Sequence, residues 1–332
     1  MAYIYINVLH IDVWILTIKE RGEPLSTNSL IVNTDNVSKY FGKILALNEL
    51  NLHVPKGITG FVGRNGAGKT TAIGILLGLI KPTRGKATVF GLDSWNDSFN
   101  IRCRLGVMHE INAYPSNFNG KHYLEHVARI YGVSQAEERI KAQLKDVDLW
   151  DAREKPIKTY SAGMIRRLGL AQALISYPEL VILDEPTANI DPIGRATLLG
   201  IIKRMNEEQG TDFLISTHIL SDLEKVCSWL SIIDAGKIVE EGPIDELAAK
   251  YSANTYKIVV SDPQLLVENL KTAEFIEKVW IEKDTIYCQV NDADRFYTEV
   301  PKIAGNLKLQ LKTFQLILGT IDEIYAKTVG GN

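Results

Sequence analysis

The chain is poor in the features that mark secreted, membrane-embedded and nucleic-acid-coating proteins. It has only three cysteines, Cys103, Cys227 and Cys288, far apart and with no CxxC pair. That excludes a disulfide framework and predicts reduced, buried thiols in a cytosolic setting. There is no basic excess: 37 Lys and Arg stand against 40 Asp and Glu, for a net charge of −3. Bulk charge therefore does not drive the protein onto nucleic acid or an anionic membrane, although a local patch could. No internal repeat, heptad run or low-complexity tract is present. With 45% hydrophobic and 23% charged residues, the chain is not disordered, collagen-like or a rod. A mean hydropathy of −0.02 excludes a mostly membrane-embedded protein. The length, 332 residues, predicts two domains or one large domain with an appendage.

The longest apolar run is Tyr3–Ile18, broken by Asn7, His10 and Asp12. It is shorter than the ~20 apolar residues of a spanning helix. No Lys or Arg precedes it and no small-residue cleavage site follows, so it does not read as a secretory signal. We read it as a peripheral strand, or as sequence upstream of the true start, in preference to a membrane anchor. The polar stretch after it, with Gly22 and Pro24, reads as a linker, making residues 1–29 an extension. The compact domain is expected to begin near Leu30.

From Leu30 onward three patterns follow one another. Residues 29–41 (SLIVNTDNVSKYF) and 46–54 (ALNELNLHV) predict antiparallel strands, and GITGFVG predicts a short buried strand ending in glycines. From about residue 70 to 235, helical and apolar-strand segments alternate. Leu180–Leu183, Phe213–Ser216 and Leu230–Ile233 are the strands, which implies a parallel sheet. Capping boxes are expected at Ser134/Glu137 and Ser221/Glu224, and Asp191-Pro192 reads as a helix start. Residues 255–330 read β-α-β-β-α-β, a ferredoxin-like order. Its last strand is expected at NLKLQLK (306–312), and a final helix is expected to be capped by Thr320 and Glu323. The predicted domains are 30–250 and 251–332.

Three segments carry chemistry. Residues 63–70, GRNGAGKT, match GxxxxGK[ST] between a strand and a helix. Gly63, Arg64, Asn65, Gly66, Ala67 and Gly68 would curl so that backbone N–H groups face a phosphate. Lys69 would reach the terminal phosphates, and Thr70, followed by Thr71, would ligate Mg²⁺. A bare glycine turn is the competing reading, and the flanking elements disfavour it. LVILDEPT (180–187) places Asp184 and Glu185 at the end of an apolar strand. Asp184 is expected to hold Mg²⁺ and Glu185 to act as general base toward water. On its own, Asp184 would read as a helix cap. His218 ends the strand FLIST, where it could hydrogen-bond a γ-phosphate or the attacking water.

With YSAGMIRRLGLAQALI (160–175) added, residues 30–245 resemble the nucleotide-binding subunit of the ATP-binding cassette (ABC) family. The resemblance implies a P-loop NTPase cassette: an α/β fold with a mixed-sheet core, an antiparallel β subdomain and a helical subdomain. It implies ATP and Mg²⁺ as ligands. Phe41 matches the aromatic that stacks on adenine, with Tyr40 adjacent and core packing as the alternative. Ser161 and Gly163 match the signature residues that contact the γ-phosphate held by a second cassette. Asp191 matches the acid that links the two sites, a role compatible with N-capping. Glu110 stands where the family commonly has Gln, and would bind Mg²⁺ or accept hydrogen bonds without donating while ionised. Ala162 and Met164 depart from the usual signature. With Lys69, Asp184, Glu185 and His218 all present, an active ATPase is expected.

The resemblance further implies two cassettes, as a homo- or heterodimer, that close on ATP. It also implies a membrane-spanning permease subunit reached through Glu110–Tyr123, and a place on the cytoplasmic face of the cell membrane. The Glu110 variant, the YSAGM signature and the C-terminal appendage resemble the export branch. The competing expectation is a soluble cassette ATPase acting on ribosomes or nucleic acid. A single cassette and a net charge of −3 disfavour it, and no nucleic-acid partner is expected.

Overall fold

The computed structural model describes residues 30–110, 113–115, 117–252, 254–317 and 319–329. The Tyr3–Ile18 run and its linker lie outside the described residues.

The chain opens with β1 (Leu30–Phe41), β2 (Ile44–Leu50), β3 (His53–Pro55) and β4 (Ile58–Val62). Next come α1 (Lys69–Leu76), β5 (Arg84–Val89), β6 (Leu92–Asp93), α2 (Ser98–Arg102) and β7 (Leu105–Met108). A helical stretch holds α3 (Gly120–Ile130), α4 (Ala136–Asp146) and α5 (Ala162–Leu174). Then β8 (Leu180–Asp184), α6 (Pro192–Gln209), β9 (Asp212–Thr217), α7 (Leu220–Leu223), β10 (Trp229–Asp234), β11 (Lys237–Pro243) and α8 (Ile244–Tyr251) follow. The remainder is β12 (Thr255–Val260), α9 (Pro263–Leu270), β13 (Ile276–Glu282), β14 (Thr285–Val290), α10 (Ala293–Asn306), β15 (Leu311–Ile317) and α11 (Ile321–Val329).

Two compact units result. The larger holds the described residues through Leu247 together with α11; the smaller holds Ala248–Thr320. The larger contains an antiparallel sheet, β2-β1-β5-β6 with β3 also on β1, and a six-stranded sheet ordered β11-β10-β4-β9-β8-β7. In the second sheet β10, β4, β9, β8 and β7 run parallel, while β11 is antiparallel. All five residues of β4 and of β8 are buried. A parallel strand covered on both faces reads as a continuous apolar run, which is why ITGFV and LVILD stand out in the sequence. The segment expected as one strand, 46–54, is split into β2 and β3. Both still pair with β1, through Val37↔Leu50 and Leu30↔Pro55.

The smaller unit has sheet order β13-β14-β12-β15 with every pairing antiparallel, the ferredoxin-like arrangement that the element order predicts. Its core gathers Tyr256, Phe275, Phe296 and Cys288. The last strand lies about five residues later than the expected 306–312. The reason is that α10 runs through Asn306, and Lys308 then turns the chain at φ 56°. Leu309 closes that turn by donating its N–H to the carbonyl of Ala304 at 2.8 Å.

Three further expectations are corrected. α4 starts after Gln135, in the left-handed region at φ 52°, so Ser134 does not cap it. α7 is one turn long with Ser221 inside it, and Glu224 accepts instead from the backbone N–H of Ile321 at 2.8 Å. Cys103 is exposed, because it closes the surface helix α2; Cys227 and Cys288 are buried, and burial raises both thiol pKa values, that of Cys288 to about 12.

The Glu224 bond also shows where the final helix belongs. α11 begins directly after Thr320, as expected, but it packs in the larger unit, against α7 and β11. The expected division, with all of 251–332 in one accessory domain, therefore differs at its end. Ile321 and Ile324 are the buried residues of α11. We expect Ile324→Asp, which puts an unpaired carboxylate in that contact, to destabilise the larger unit by about 3 kcal/mol. The midpoint of urea unfolding of the full chain checks this, and an unchanged midpoint would show that α11 contributes nothing to the unit.

Candidate functional site

Parallel strands point their carboxyl ends the same way, so the loops after them meet on one edge of the sheet. Here the phosphate-loop segment leaves β4, Glu185 leaves β8, His218 leaves β9 and Glu110 follows β7. These strands are neighbours in the sheet. The loops surround a cleft of about 330 Å³, lined by Arg64, Asn65, Gly66, Gly68, Lys69, Thr70, Thr71, Glu110, Asp184, Glu185 and His218.

The phosphate loop is shaped by its glycines. Gly68 sits at φ +111°, and a Cβ there would meet Leu47 Cδ2 at 2.7 Å and the carbonyl oxygen of Ala46 at 2.8 Å. A Cβ on Gly63 would come within 2.5 Å of the Ile233 carbonyl oxygen. The loop thus presses against β2 and β10 and delivers its backbone to the start of α1, where N–H groups and the helix dipole favour an anion. Ala67 faces inward; its N–H closes a turn onto the Arg64 carbonyl at 3.0 Å.

Lys69 is buried at 7% exposure, and its ammonium donates to the Gly63 carbonyl at 2.6 Å. It lies 3.6 Å from Glu185 Oε1. The other carboxylate oxygen, Glu185 Oε2, is 2.9 Å from His218 Nδ1 and accepts from the Thr217 hydroxyl at 3.3 Å. Glu185 itself adopts φ 48°, a left-handed conformation uncommon outside glycine. Its N–H donates to the Ser216 carbonyl at 2.8 Å, which secures that conformation. A non-glycine residue held in this region at a cleft is a recurrent mark of a functional position. Asp184 is buried beside it. Burial, with the neighbouring charges of Glu185 and Glu110, raises its pKa, and Lys69 opposes them.

The signature and its relatives lie elsewhere. Ser161 caps α5, its hydroxyl accepting from the Met164 N–H at 3.3 Å. Gly163 has room beside it: a Cβ would meet Ile190 Cγ2 at 3.5 Å and Gly194 Cα at 4.0 Å, both ordinary contacts. Asp191 caps α6 through the N–H groups of Ile193 and Gly194 at 3.1 and 3.0 Å, and these bonds hold its carboxyl below the usual range. Ser161, Gly163 and Asp191 do not line their own chain's cleft. We expect Ser161→Ala to cost about 1 kcal/mol through loss of the cap, measured by chemical denaturation; no change would remove the capping role.

Phe41 is not among the cleft-lining side chains either. It is 47% exposed, with the Lys39 ammonium 5.0 Å from its ring centre. The two-residue turn after it returns the chain, and Ile44, Leu45 and Ala46 of β2 form the apolar edge of the cleft. Neither these residues nor Thr217 stand out in the sequence, because short apolar and hydroxyl residues in strands carry no motif.

A family model described as ABC transporter matches residues 47–188. The bacitracin transport ATP-binding protein of Enterococcus faecalis is 31% identical over 302 residues, covering 91% of this chain and 97% of that protein. Its namesake from Bacillus licheniformis is 40% identical over 220 residues, covering 66% of this chain and 72% of the relative. Among solved structures, an ATP-binding subunit of an ABC transporter aligns with a TM-score of 0.59 at 26% identity, over 67% of this chain and 93% of the other. A phosphate loop facing a buried carboxylate pair, together with likeness along nearly the whole length of a transport ATP-binding protein, places this chain in the ABC transporter family, as an ATP-binding subunit that hydrolyses ATP.

Proposed function

We propose that this chain is the motor subunit of an ABC exporter, working as a pair of cassettes on a separate membrane-spanning permease. The observation that carries the site assignment is the convergence on Glu185, held between Lys69 at 3.6 Å and His218 at 2.9 Å. Glu185 accepts a proton from water, and His218 orients the carboxylate and lies where a γ-phosphate would meet it. Lys69 turns from the Gly63 carbonyl to the phosphates when nucleotide enters.

Thr70, Asp184 and Glu110 present oxygen donors on one cleft, a set suited to a hard cation such as Mg²⁺. Bound there, Mg²⁺ supplies positive charge against the phosphates. Ser161 is exposed and Gly163 half-buried, and both are placed to meet the nucleotide of a second cassette, with Asp191 beside that contact. Phe41 or the neighbouring Ile44–Leu45 edge holds the adenine.

No described helix is long and apolar enough to cross a membrane. A permease would therefore supply the transport path and hold the chain at the cytoplasmic face. A transport role is supported by the two relatives named for bacitracin transport, and export by the Glu110 and YSAGM variants. Affinity capture of the tagged chain from detergent-solubilised membranes tests this reading. A polytopic membrane protein at one or two copies per two chains supports it. Recovery with ribosomal or nucleic-acid partners alone overturns it.

A further inference from the structure

Arg166 sits one turn into the signature helix α5 and is 7% exposed. Among the described residues no carboxylate forms an ion pair with it. Its guanidinium instead bonds three backbone carbonyls on two different loops. Nη1 donates to His109 at 3.4 Å and to Glu110, and Nη2 donates to Ala188 at 3.3 Å. The first loop places the Glu110 side chain in the nucleotide cleft. The second joins Glu185 to Asp191, and Ala188 is itself tied back by its N–H to the Glu185 carbonyl at 3.2 Å.

A buried charge must be satisfied, and the planar fork of arginine can satisfy itself on two sides at once. Lysine, a single point donor, cannot span both loops in that way. Because the acceptors are carbonyls, the arrangement does not depend on the side chains of those loops. It does depend on where α5 sits. The N-terminus of that helix carries Ser161 and Gly163, which do not line the chain's own cleft.

We propose that Arg166 is a positioning residue that locks the Glu110 loop and the Glu185–Asp191 loop of one nucleotide site to the signature helix serving the other. A displacement of α5 on meeting nucleotide then shifts the loops that hold Glu110 and the base of its own site. This rests on the reading of Ser161 and Gly163 as contacts to a second cassette's nucleotide.

A double-mutant cycle tests it, using kcat for ATP hydrolysis by the purified full chain at saturating Mg²⁺-ATP. The variants are S161A, R166M and S161A/R166M, with thermal unfolding run alongside. With Arg166 present, S161A lowers kcat about 10²-fold, the lower end of the loss for one donor to a developing anionic charge. In the R166M background, S161A costs no more than about twofold, because the signature no longer reports to the base. Equal costs in both backgrounds, the additive result, make Arg166 a plain helix staple and overturn the proposal. If S161A alone leaves kcat unchanged, the proposal falls through its premise, and the failure is assigned to the signature reading. Should R166M not fold, the same cycle with R166K decides, since lysine keeps the charge but not the fork.

Discussion

Glu185→Gln slows ATP hydrolysis by about 10² to 10⁴-fold, the range a positioned general base contributes, while ATP still binds. The amide is nearly the same shape as the carboxylate and sits in the same backbone turn at φ 48°. It can still meet His218 and Thr217 across the contacts now made at 2.9 and 3.3 Å. What it cannot do is take a proton from water. Removing the negative charge also relieves its repulsion of an incoming triphosphate, so the nucleotide-bound state gains while the exit from it slows. In a protein whose paired state is favoured by ATP, the variant accumulates as a dimer. Steady-state ATPase assays and size-exclusion chromatography with ATP measure the two effects. Wild-type turnover in the variant would remove Glu185 as the base.

Lys69→Ala acts one step earlier, on binding. The ammonium is held by the Gly63 carbonyl at 2.6 Å and lies 3.6 Å from Glu185. These contacts keep it within the cleft and aligned with the start of α1. Alanine removes the only lysine that lines the cleft among the described residues and leaves Asp184, Glu185 and Glu110 facing a polyanion without it. A charge-assisted hydrogen bond to phosphate is worth about 1.5–3 kcal/mol, which is roughly 10- to 150-fold in affinity. Titration of a fluorescent ATP analogue should show that loss, and unchanged affinity would count against the loop assignment. The two variants separate binding from turnover: Lys69→Ala weakens both, and Glu185→Gln only the second.

The parts of the site legible in the sequence share a cause. A phosphate loop needs glycines where a Cβ would strike a neighbour, and Gly63 and Gly68 have such neighbours at 2.5 and 2.7 Å. A strand buried on both faces must be apolar, so two acids at its end are conspicuous, as Asp184 and Glu185 are. Asp191-Pro192 is a cap whose bonds lie within three residues of itself. Each of these signals is local, and each is strong enough to survive folding.

Where a local signal met a stronger distant partner, the distant partner won. Glu224 has the spacing to cap α7, yet its carboxylate accepts from Ile321, 97 residues away. NLKLQLK alternates as a strand should, but burial of Ala304 at 1% exposure extends α10 into it and moves β15 onward. Nothing in the sequence marks Arg166, which is a buried bracket only because two loops from other strands bring carbonyls to it.

Local chemistry thus sufficed for the cassette's identity, its phosphate loop and its acid pair, since a nucleotide site built on strand ends constrains a few contiguous residues tightly. Long-range packing settled the rest: the cleft's apolar edge on β2, the home of α11, and the tie between the signature helix and the loops of Glu110 and Glu185. Those features are made of backbone carbonyls and buried surface contributed by segments far apart in the chain, and no single stretch of sequence carries the partner that completes them.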